Sequence, residues 1–473
     1  MRDSNQGWFQ QQVNFLRRQF LQDGDLPFTN VLSEEIVAQA LTAIDVYWMD
    51  RLYPPLVTLW VFLGQVLSAD HSCRAAVARL VTHRISRGQG ACSPDTGAYC
   101  QARKRLPEKF FSTVACQTGQ ALDAGVDQKW LWKNRRVHMF DGSTVSMPDT
   151  AANQQAYPQI STQAPGVGFP IARIAAVISL SCGAVLDLGI CRYAGKGQGE
   201  VSLLRRLWSL FRPGDVVLTD CLLCTWTELV MLKQRGIDSV SRLNKATRSA
   251  DFRRGKRLGK DDHIVRWPKP QKPRSIDRKT YNSLPDFLTV RELRVRVEQP
   301  GFRTRTVIVV TTLLDSEEFA MSDLADLYRA RWNNELDLRS IKITLQMDIL
   351  RCKSPEMVRK EIRTHILAYN LIRTIMAQAA TKHGIDPRSI SFKGTLQTLE
   401  AFQPLIDFQA QRGSSFRMNL YQHLLDAIAV HRVADRPDRF EPRKRKRRPK
   451  PYDRLMKSRH EAKLDILNGF SEN

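Results

Sequence analysis

No apolar run in this chain is long enough to cross a bilayer. The longest, Pro54 to Leu67, falls short of the roughly 20 residues that a spanning helix needs. Export chemistry is missing from the start as well: Met1 to Phe20 is polar, with Asp3, Asn5, Gln6, Gln10, Gln11 and Gln12 in place of a continuous apolar segment. The expectation is a cytoplasmic chain with no membrane partner. Nine cysteines are an odd number and lie scattered, which argues against a disulfide framework. Cys221 and Cys224 form a lone C-x-x-C without the second pair that a zinc site needs, and read as small buried residues near a strand end. Gly195-Lys196-Gly197-Gln198-Gly199 lacks the Lys-Ser or Lys-Thr that turns a glycine-rich loop into a phosphate cradle, so no nucleotide cofactor is expected. No histidine has a serine or cysteine partner that can be placed from sequence.

Acidic residues are also in deficit. Lys plus Arg number 72 against 48 Asp plus Glu, a net charge of +24 on 473 residues. Such an excess sets a preferred partner rather than a fold, and that partner is a polyanion, above all nucleic acid. With 42% hydrophobic residues the chain has material for a large core and more than one domain.

Apolar periodicity changes along the chain. Asp25 to Leu106 reads as helical, through Ile36, Ala40, Leu41, Ile44 and Tyr47, then Leu56 to Leu67, then Cys73 to Leu80. Arg74, Arg79, His83, Arg84, Arg87, Arg103, Lys104 and Arg105 make this part basic. A solvated helical face and a DNA-contacting module both fit that pattern. Near Val137 the pattern turns to strands. Val137 to Asp141 reads as a strand ending at a carboxylate, Ile171–Ile178 and Ala184–Tyr193 as two more, and Asp215–Asp220 as a fourth that again ends at a carboxylate. A helix over Glu200–Phe211 precedes that fourth strand; a helix over Trp226–Gln234 and a strand over Ile237–Leu243 follow it. This order suggests a mixed sheet with helices packed on it; if the first and fourth strands are adjacent, Asp141 lies beside Asp220. Residues 244–314 break the rhythm with Arg248, Arg253, Arg254, Lys256, Arg257 and Lys260. A hairpin of Leu288–Val297 and Arg303–Leu313 follows, giving a basic, β-rich insertion. A long helix is predicted over Ser322–Met347, with further helices at Ser354–His383, Lys393–Phe408 and Leu420–Val433. The block Arg443 to Lys450 is a like-charged tail suited to DNA phosphates.

On the helix after the insertion, Tyr328, Arg331, Glu335 and Lys342 fall within about 60° of one another at 100° per residue. Alone they read as a surface stripe with an i,i+4 ion pair. Beside two strand-end carboxylates they read differently. Three carboxylates on rigid elements suit hard divalent cations with oxygen ligands. Two such ions can stabilise both the attacking and the leaving oxygens of an in-line displacement at phosphorus. Arg331, Lys342 and Tyr328 would then seat the DNA backbone.

The spacing of Tyr328, Arg331, Glu335 and Lys342 matches the signature of the DDE transposases of the insertion-sequence-4 group. Asp141-Gly142-Ser143-Thr144 is similar to the family's first-aspartate motif and Leu218-Thr219-Asp220 to its second. Tyr53-Pro54-Pro55 and Ala98 to Arg103 extend the resemblance over nearly the whole chain. The resemblance implies an α/β, ribonuclease-H-like (retroviral-integrase-like) core of residues 131–243 and 315–383. It implies a β-rich insertion at 244–314, a helical DNA-binding region at 1–130, and a helical C-terminal region at 384–473 with a basic tail. It implies Asp141, Asp220 and Glu335 as catalytic and metal-holding residues for two Mg²⁺ ions, for which Mn²⁺ can substitute. It further implies strand nicking, hairpin formation and opening, and strand transfer into target DNA, by a homodimer in the synaptic complex acting at the nucleoid. Trp267 and Arg242 are the candidates for contacting an unstacked base at the hairpin, with a Trp267 packed inside the insertion as the other reading. A metal nuclease without strand transfer, a decayed DNA-binding protein and an RNA-binding protein are the competing readings.

Overall fold

The computed structural model describes residues 32, 34–42, 52–86, 88–296, 306–408, 414–433 and 455–468. Four helices come first, α1 (Glu34–Thr42), α2 (Pro55–Leu67), α3 (Cys73–Ser86) and α4 (Gly97–Arg105), followed by α5 (Glu108–Ala124). The mixed α/β part then runs β1 (Val137–Ser146), α6 (Ala151–Ala156), β2 (Ile171–Ser179), β3 (Val185–Arg192), α7 (Glu200–Arg206), β4 (Val216–Thr219), α8 (Trp226–Lys233) and β5 (Asp238–Arg242). Next come β6 (Lys256–Gly259), β7 (Asp262–Pro268), α9 (Arg278–Ser283), β8 (Phe287–Arg296) and β9 (Thr306–Thr311). Helices α10 (Met321–Ala330) and α11 (Trp332–Arg339) and a π-turn at Ser340–Thr344 precede α12 (Pro355–His383), α13 (Phe392–Phe408), α14 (Ser414–Val430) and α15 (Arg459–Leu467). No helix among the described residues is long and apolar enough to cross a membrane. Tyr47, Arg87 and the basic block 443–450 lie outside the described residues.

One nine-stranded sheet organises the chain, in the order β3-β2-β1-β4-β5-β9-β8-β7-β6. Strands β1, β2 and β3 form an antiparallel meander, while β1, β4 and β5 are parallel neighbours. That five-strand arrangement is ribonuclease-H-like. Its strands are apolar in consecutive positions because both faces are covered. Met139, Val216, Leu218 and Val240 face one core with α5 and α12, and Phe140, Val217, Leu229 and Val230 face a second core under α7 and α8. Helix α12 is the keel of the first core. Pro55 opens α2 and Pro355 opens α12 at positions where proline costs no hydrogen bond, and Gly384 ends α12 at φ 63°.

Two expectations need correction, and one is sharpened. Strand β1 does not stop at Asp141 but continues to Ser146, because β2 pairs with it over that whole length. The helix expected over 322–347 is broken at Arg331 and finishes in the π-turn, so Lys342 does not lie on one straight helix with Tyr328. The strands of 244–314 do not make a sheet of their own. Antiparallel pairing of β9 with β5 carries the core sheet outward through β8, β7 and β6.

Candidate active site

Asp141 and Asp220 are brought together by strand register. In the parallel pair β1–β4, Met139 sits opposite Leu218. Two residues further on each chain lie Asp141 and Asp220, and the two-residue repeat turns both toward the face that holds Met139 and Leu218. There β4 ends, while β1 runs on. The freed edge of β1 is taken up again only at Ser146, whose N–H donates to the Asp348 carbonyl (2.9 Å) and whose carbonyl accepts from Leu350 N (2.9 Å). Between Asp220 and Ile349 the sheet is therefore notched, and Asp141 stands in the notch. Asp220 Oδ1 accepts from Leu222 N at 2.8 Å, which fixes its carboxylate at the turn.

The segment after β9 closes over this notch. Tyr328, Leu338 and Ile341 pack on the same core face, and the polar side of the segment meets the carboxylates. Arg331 lies between two of them: its Nη2 is 3.0 Å from Glu335 Oε1 and its Nη1 is 3.8 Å from Asp141 Oδ2. Lys342 donates from Nζ to Ser143 Oγ at 3.0 Å, two residues along β1 from Asp141. The π-turn makes this reach possible, since its wider winding re-aims Lys342 toward β1.

The charges report the same crowding. Burial pushes the Asp141 carboxyl up to about 6; the Gly142 N–H and the Arg331 guanidinium oppose the shift, and Asp220 and Glu200 add to it. Burial also raises the Tyr328 phenol, against the pull of Arg331 and Arg242 beside it. The Lys342 ammonium is lowered by burial, with Asp348 opposing. Arg242, the last residue of β5, donates to Cys221 Sγ at 3.2 Å and stands beside Tyr328 and Asp220.

The donors are all carboxylate oxygens, the set a hard divalent cation selects. Repulsion among Asp141, Asp220 and Glu200 is the kind a cation relieves. Among the described residues, however, no group of three or more His, Cys, Asp or Glu side chains is closed tightly enough to hold a metal ion. The Arg331 guanidinium lies between Asp141 and Glu335 and joins them through positive charge. The residues fit a divalent cation in donor type, and Arg331 holds them in an open arrangement.

Two further side chains belong to this region. Glu200 opens α7 as expected, but it also lies directly over Gly142, where an added Cβ would come within 2.5 Å of its carboxyl carbon. Arg173 on β2 holds Glu200 there at 2.8 Å. Gly142 thus lets a further carboxylate approach the sheet beside Asp141. The signal in the sequence was the glycine next to the aspartate. Trp332 follows Arg331 directly and is 47% exposed; its place inside the signature could have marked it. Trp267, by contrast, is 3% exposed, donates from Nε1 to Glu292 Oε1 at 2.8 Å and carries Arg248 4.3 Å from its ring centroid. Of the two readings of Trp267, the geometry shows the packed one.

A ribonuclease-H-like sheet with two register-matched aspartates and a Tyr-Arg-Glu-Lys segment above them defines a class: polynucleotidyl transferases and nucleases that act on phosphodiesters. The comparison with known families narrows this. The family described as "Transposase DDE domain" matches residues 132–371, and the chain belongs to that family. It is 25% identical over 406 residues to the transposase InsG of insertion sequence element IS4 from Escherichia coli (strain K12), covering 79% of this chain and 83% of that protein. It is 36% identical over 69 residues to the transposase of insertion sequence element IS421 from Escherichia coli, covering 15% of this chain and 19% of that protein. Among solved structures, the piggyBac transposase synaptic complex with hairpin DNA aligns at a TM-score of 0.42 with 10% identity, over 85% of this chain and 84% of that one. The protein is thus a DNA transposase of the insertion-sequence-4 family, a DNA-cleaving and DNA-transposing enzyme whose family uses a divalent metal.

Proposed function

We propose that this transposase moves its element by cut-and-paste, with Asp141, Asp220 and Glu335 holding two Mg²⁺ ions, for which Mn²⁺ can substitute. The observation that carries this reading is the register of β1 and β4, which sets Asp141 beside Asp220 under the segment bearing Glu335. When bound, the ions would activate the attacking oxygen and neutralise charge on the leaving one. The protein's own groups do the rest. Asp141, whose carboxyl sits near 6, gives up its remaining proton as positive charge arrives. Arg331 exchanges its carboxylate partners for a phosphate, and Lys342, Tyr328 and Arg242 line the path of the backbone.

Nicking, hairpin formation and opening, and strand transfer would use this one site in turn. A tight DNA hairpin requires an unstacked base, and the exposed ring of Trp332 beside Arg331 offers a stacking face that the buried Trp267 lacks. Residues 1–130 and the insertion 244–314 would carry DNA outside the notch. Exposed Arg74, Arg79, Lys104 and Arg105 support the first assignment, and exposed Arg253, Arg254, Lys256, Arg257 and Lys260 the second. Buried Arg103 does not share that role. Two protomers would pair the two element ends, at the nucleoid.

The test uses purified full-length protein, Mg²⁺, and duplexes carrying the inverted repeats that flank the gene. Nicked ends, hairpins and molecules joined to target DNA are expected in succession. All of them should vanish in Asp141→Asn, Asp220→Asn and Glu335→Gln while duplex binding persists. Cut ends without any joined product would reduce the protein to a nuclease, and cleavage surviving in any one variant would remove that residue from the site.

A further inference from the structure

Away from the notch, the N-terminal helices hold two thiols side by side. Cys73 is the first residue of α3 and Cys100 the fourth of α4, and their sulfurs are 3.9 Å apart. Arg103, one turn after Cys100, aims Nη2 at both, 3.2 Å from Cys73 Sγ and 3.5 Å from Cys100 Sγ. That guanidinium is held fast. Its Nη1 donates to Gln65 Oε1 at 3.0 Å, and it lies 4.8 and 4.5 Å from the ring centroids of Phe62 and Tyr99. Tyr99 donates to the same Gln65 oxygen at 2.8 Å, and Gln65 Nε2 donates to the His71 carbonyl at 2.8 Å. Two thiols in contact under a fixed cation are an arrangement that catalysis at the notch does not use.

We propose that Cys73 and Cys100 form a redox-modification site, a dithiol that hydrogen peroxide converts into a disulfide tying α3 to α4. In the first step the thiolate of one cysteine attacks the O–O bond. An S–O bond forms, the O–O bond breaks, and the departing hydroxide takes up a proton and leaves as water. In the second step the other sulfur attacks the sulfenic acid: the S–S bond forms, the S–O bond breaks, and a second water leaves with the thiol proton. Two electrons pass from the sulfurs to the peroxide. The sulfurs must close from 3.9 Å to the roughly 2.05 Å of a disulfide. Cys73 can supply that movement, because it sits at the end of α3 and not in its middle.

The lock would act on a helix whose apolar anchorage is small. Its buried apolar residues, Ala76, Val77 and Leu80, belong to a small satellite cluster with Val61 and Tyr99. The closed ring would enclose Arg74, Arg79 and Arg84, so oxidation would fix the pose of this basic helix. Arg103 keeps Gln65 and both rings after the sulfurs join, which leaves the pocket intact. Burial raises the Cys73 thiol above its ordinary value while Arg103 opposes the shift. The reactive thiolate is therefore a minor form at neutral pH, and the reaction accelerates as pH rises.

The full-length protein would be exposed to hydrogen peroxide, alkylated, digested without reduction and mapped by mass spectrometry. The expected product is a peptide pair joined through Cys73 and Cys100, lighter by two hydrogens and separated again by a phosphine reductant. Its formation rate should rise about tenfold per pH unit below the thiol pKa. Hydrogen exchange in α3 should slow in the oxidised protein. Cys73→Ser and Cys100→Ser should each abolish the linked pair. Recovery of both cysteines as free alkylated thiols after peroxide, or their equal pairing with other cysteines, would overturn the assignment, and this map of the unmutated chain does not depend on either variant folding.

Discussion

The outer strands of the nine-stranded sheet and the notch beside β1 treat buried charge in opposite ways. On the outer strands every buried charge has a close partner. Arg291, 1% exposed, meets Asp262 at 2.9 Å through Nε and the Phe319 carbonyl at 2.6 Å, and Glu292 takes one hydrogen bond from Trp267 and another contact at 2.9 Å from His263. At the notch between β1 and β4 the balance is broken. Asp141 has one backbone N–H and a guanidinium at 3.8 Å, with Asp220 and Glu200 nearby, and its carboxyl rises to about 6. Both sites are carboxylates on strands of one sheet, so position alone does not separate them. Satisfaction does: a buried ion whose partners are complete serves the fold, and one left short of positive charge is prepared to receive it.

The largest way to sharpen this contrast is catalytic. Neutralising Asp141, Asp220 or Glu335 should lower strand cleavage by about 10³-fold or more, equivalent to about 4 kcal/mol of transition-state stabilisation, with the folded state retained. The same experiment on the outer strands should invert the result. Arg291→Ala leaves Asp262 buried without its cation and should cost about 3–5 kcal/mol of stability, read by denaturant unfolding. Arg291→Ala protein that remains folded should still cleave. If Arg291→Ala left stability unchanged, or Asp141→Asn unfolded the protein, the division between the two regions would collapse.

A subtler test asks whether the notch opposes folding when no metal is added. Asp141 has a folded pKa of about 6, above the roughly 3.9 of an unfolded aspartate. A raised folded value means that the native state holds the proton more tightly than the unfolded chain does. The contribution is therefore fully present below about pH 4 and lost as pH climbs through about 6. In metal-free buffer, Asp141→Asn should be more stable than the natural chain at neutral pH by about 1–3 kcal/mol, and this advantage should shrink toward acid pH. Adding Mg²⁺ should narrow the gap by stabilising only the chain that keeps the carboxylate. A difference that is flat with pH would mean that Asp141 is not crowded.

Much of this was legible in the sequence, for reasons that particular residues make plain. Val137–Phe140 and Val216–Thr219 are short apolar runs, so their strands and the placing of Asp141 beside Asp220 follow from patterning and topology. The continuation of β1 to Ser146 was hidden because Gly142, Ser143 and Thr144 carry no apolar signal, and only the pairing with β2 keeps them extended. The break at Arg331 was hidden too, since Tyr328, Arg331, Glu335 and Lys342 share one face under ideal helical winding. The π-turn that redirects Lys342 arises from tertiary contact: Lys342 meets Ser143, and the chain beyond it pairs with Ser146. Trp267, among prolines and basic residues, admitted both a stacking and a packed reading. Its burial depends on Glu292, which is 25 positions away and becomes its hydrogen-bond partner only when β7 and β8 pair.

The smallest expected effect concerns Lys342, which lies at the edge of the notch and belongs fully to neither kind of site. Its ammonium has a hydroxyl partner, Ser143, and among the described residues no carboxylate within the ion-pair distances that serve Arg291. Burial lowers its pKa, and a phosphate beside it would oppose that shift. Lys342→Ala should weaken binding to duplex DNA and reduce the slope of log affinity against log salt by about one phosphate contact. Stability should change little, because only one hydrogen bond is lost and Ser143 is half-exposed to water. Arg74→Ala on the surface of α3 gives the contrast: an exposed lysine or arginine that touches DNA alters the slope in the same way, yet leaves cleavage of prebound DNA unchanged. Lys342→Ala should slow that cleavage as well, since a cation at the notch orients the scissile backbone. An equal loss of binding in both variants with cleavage untouched would move Lys342 out of the notch and onto the general basic surface.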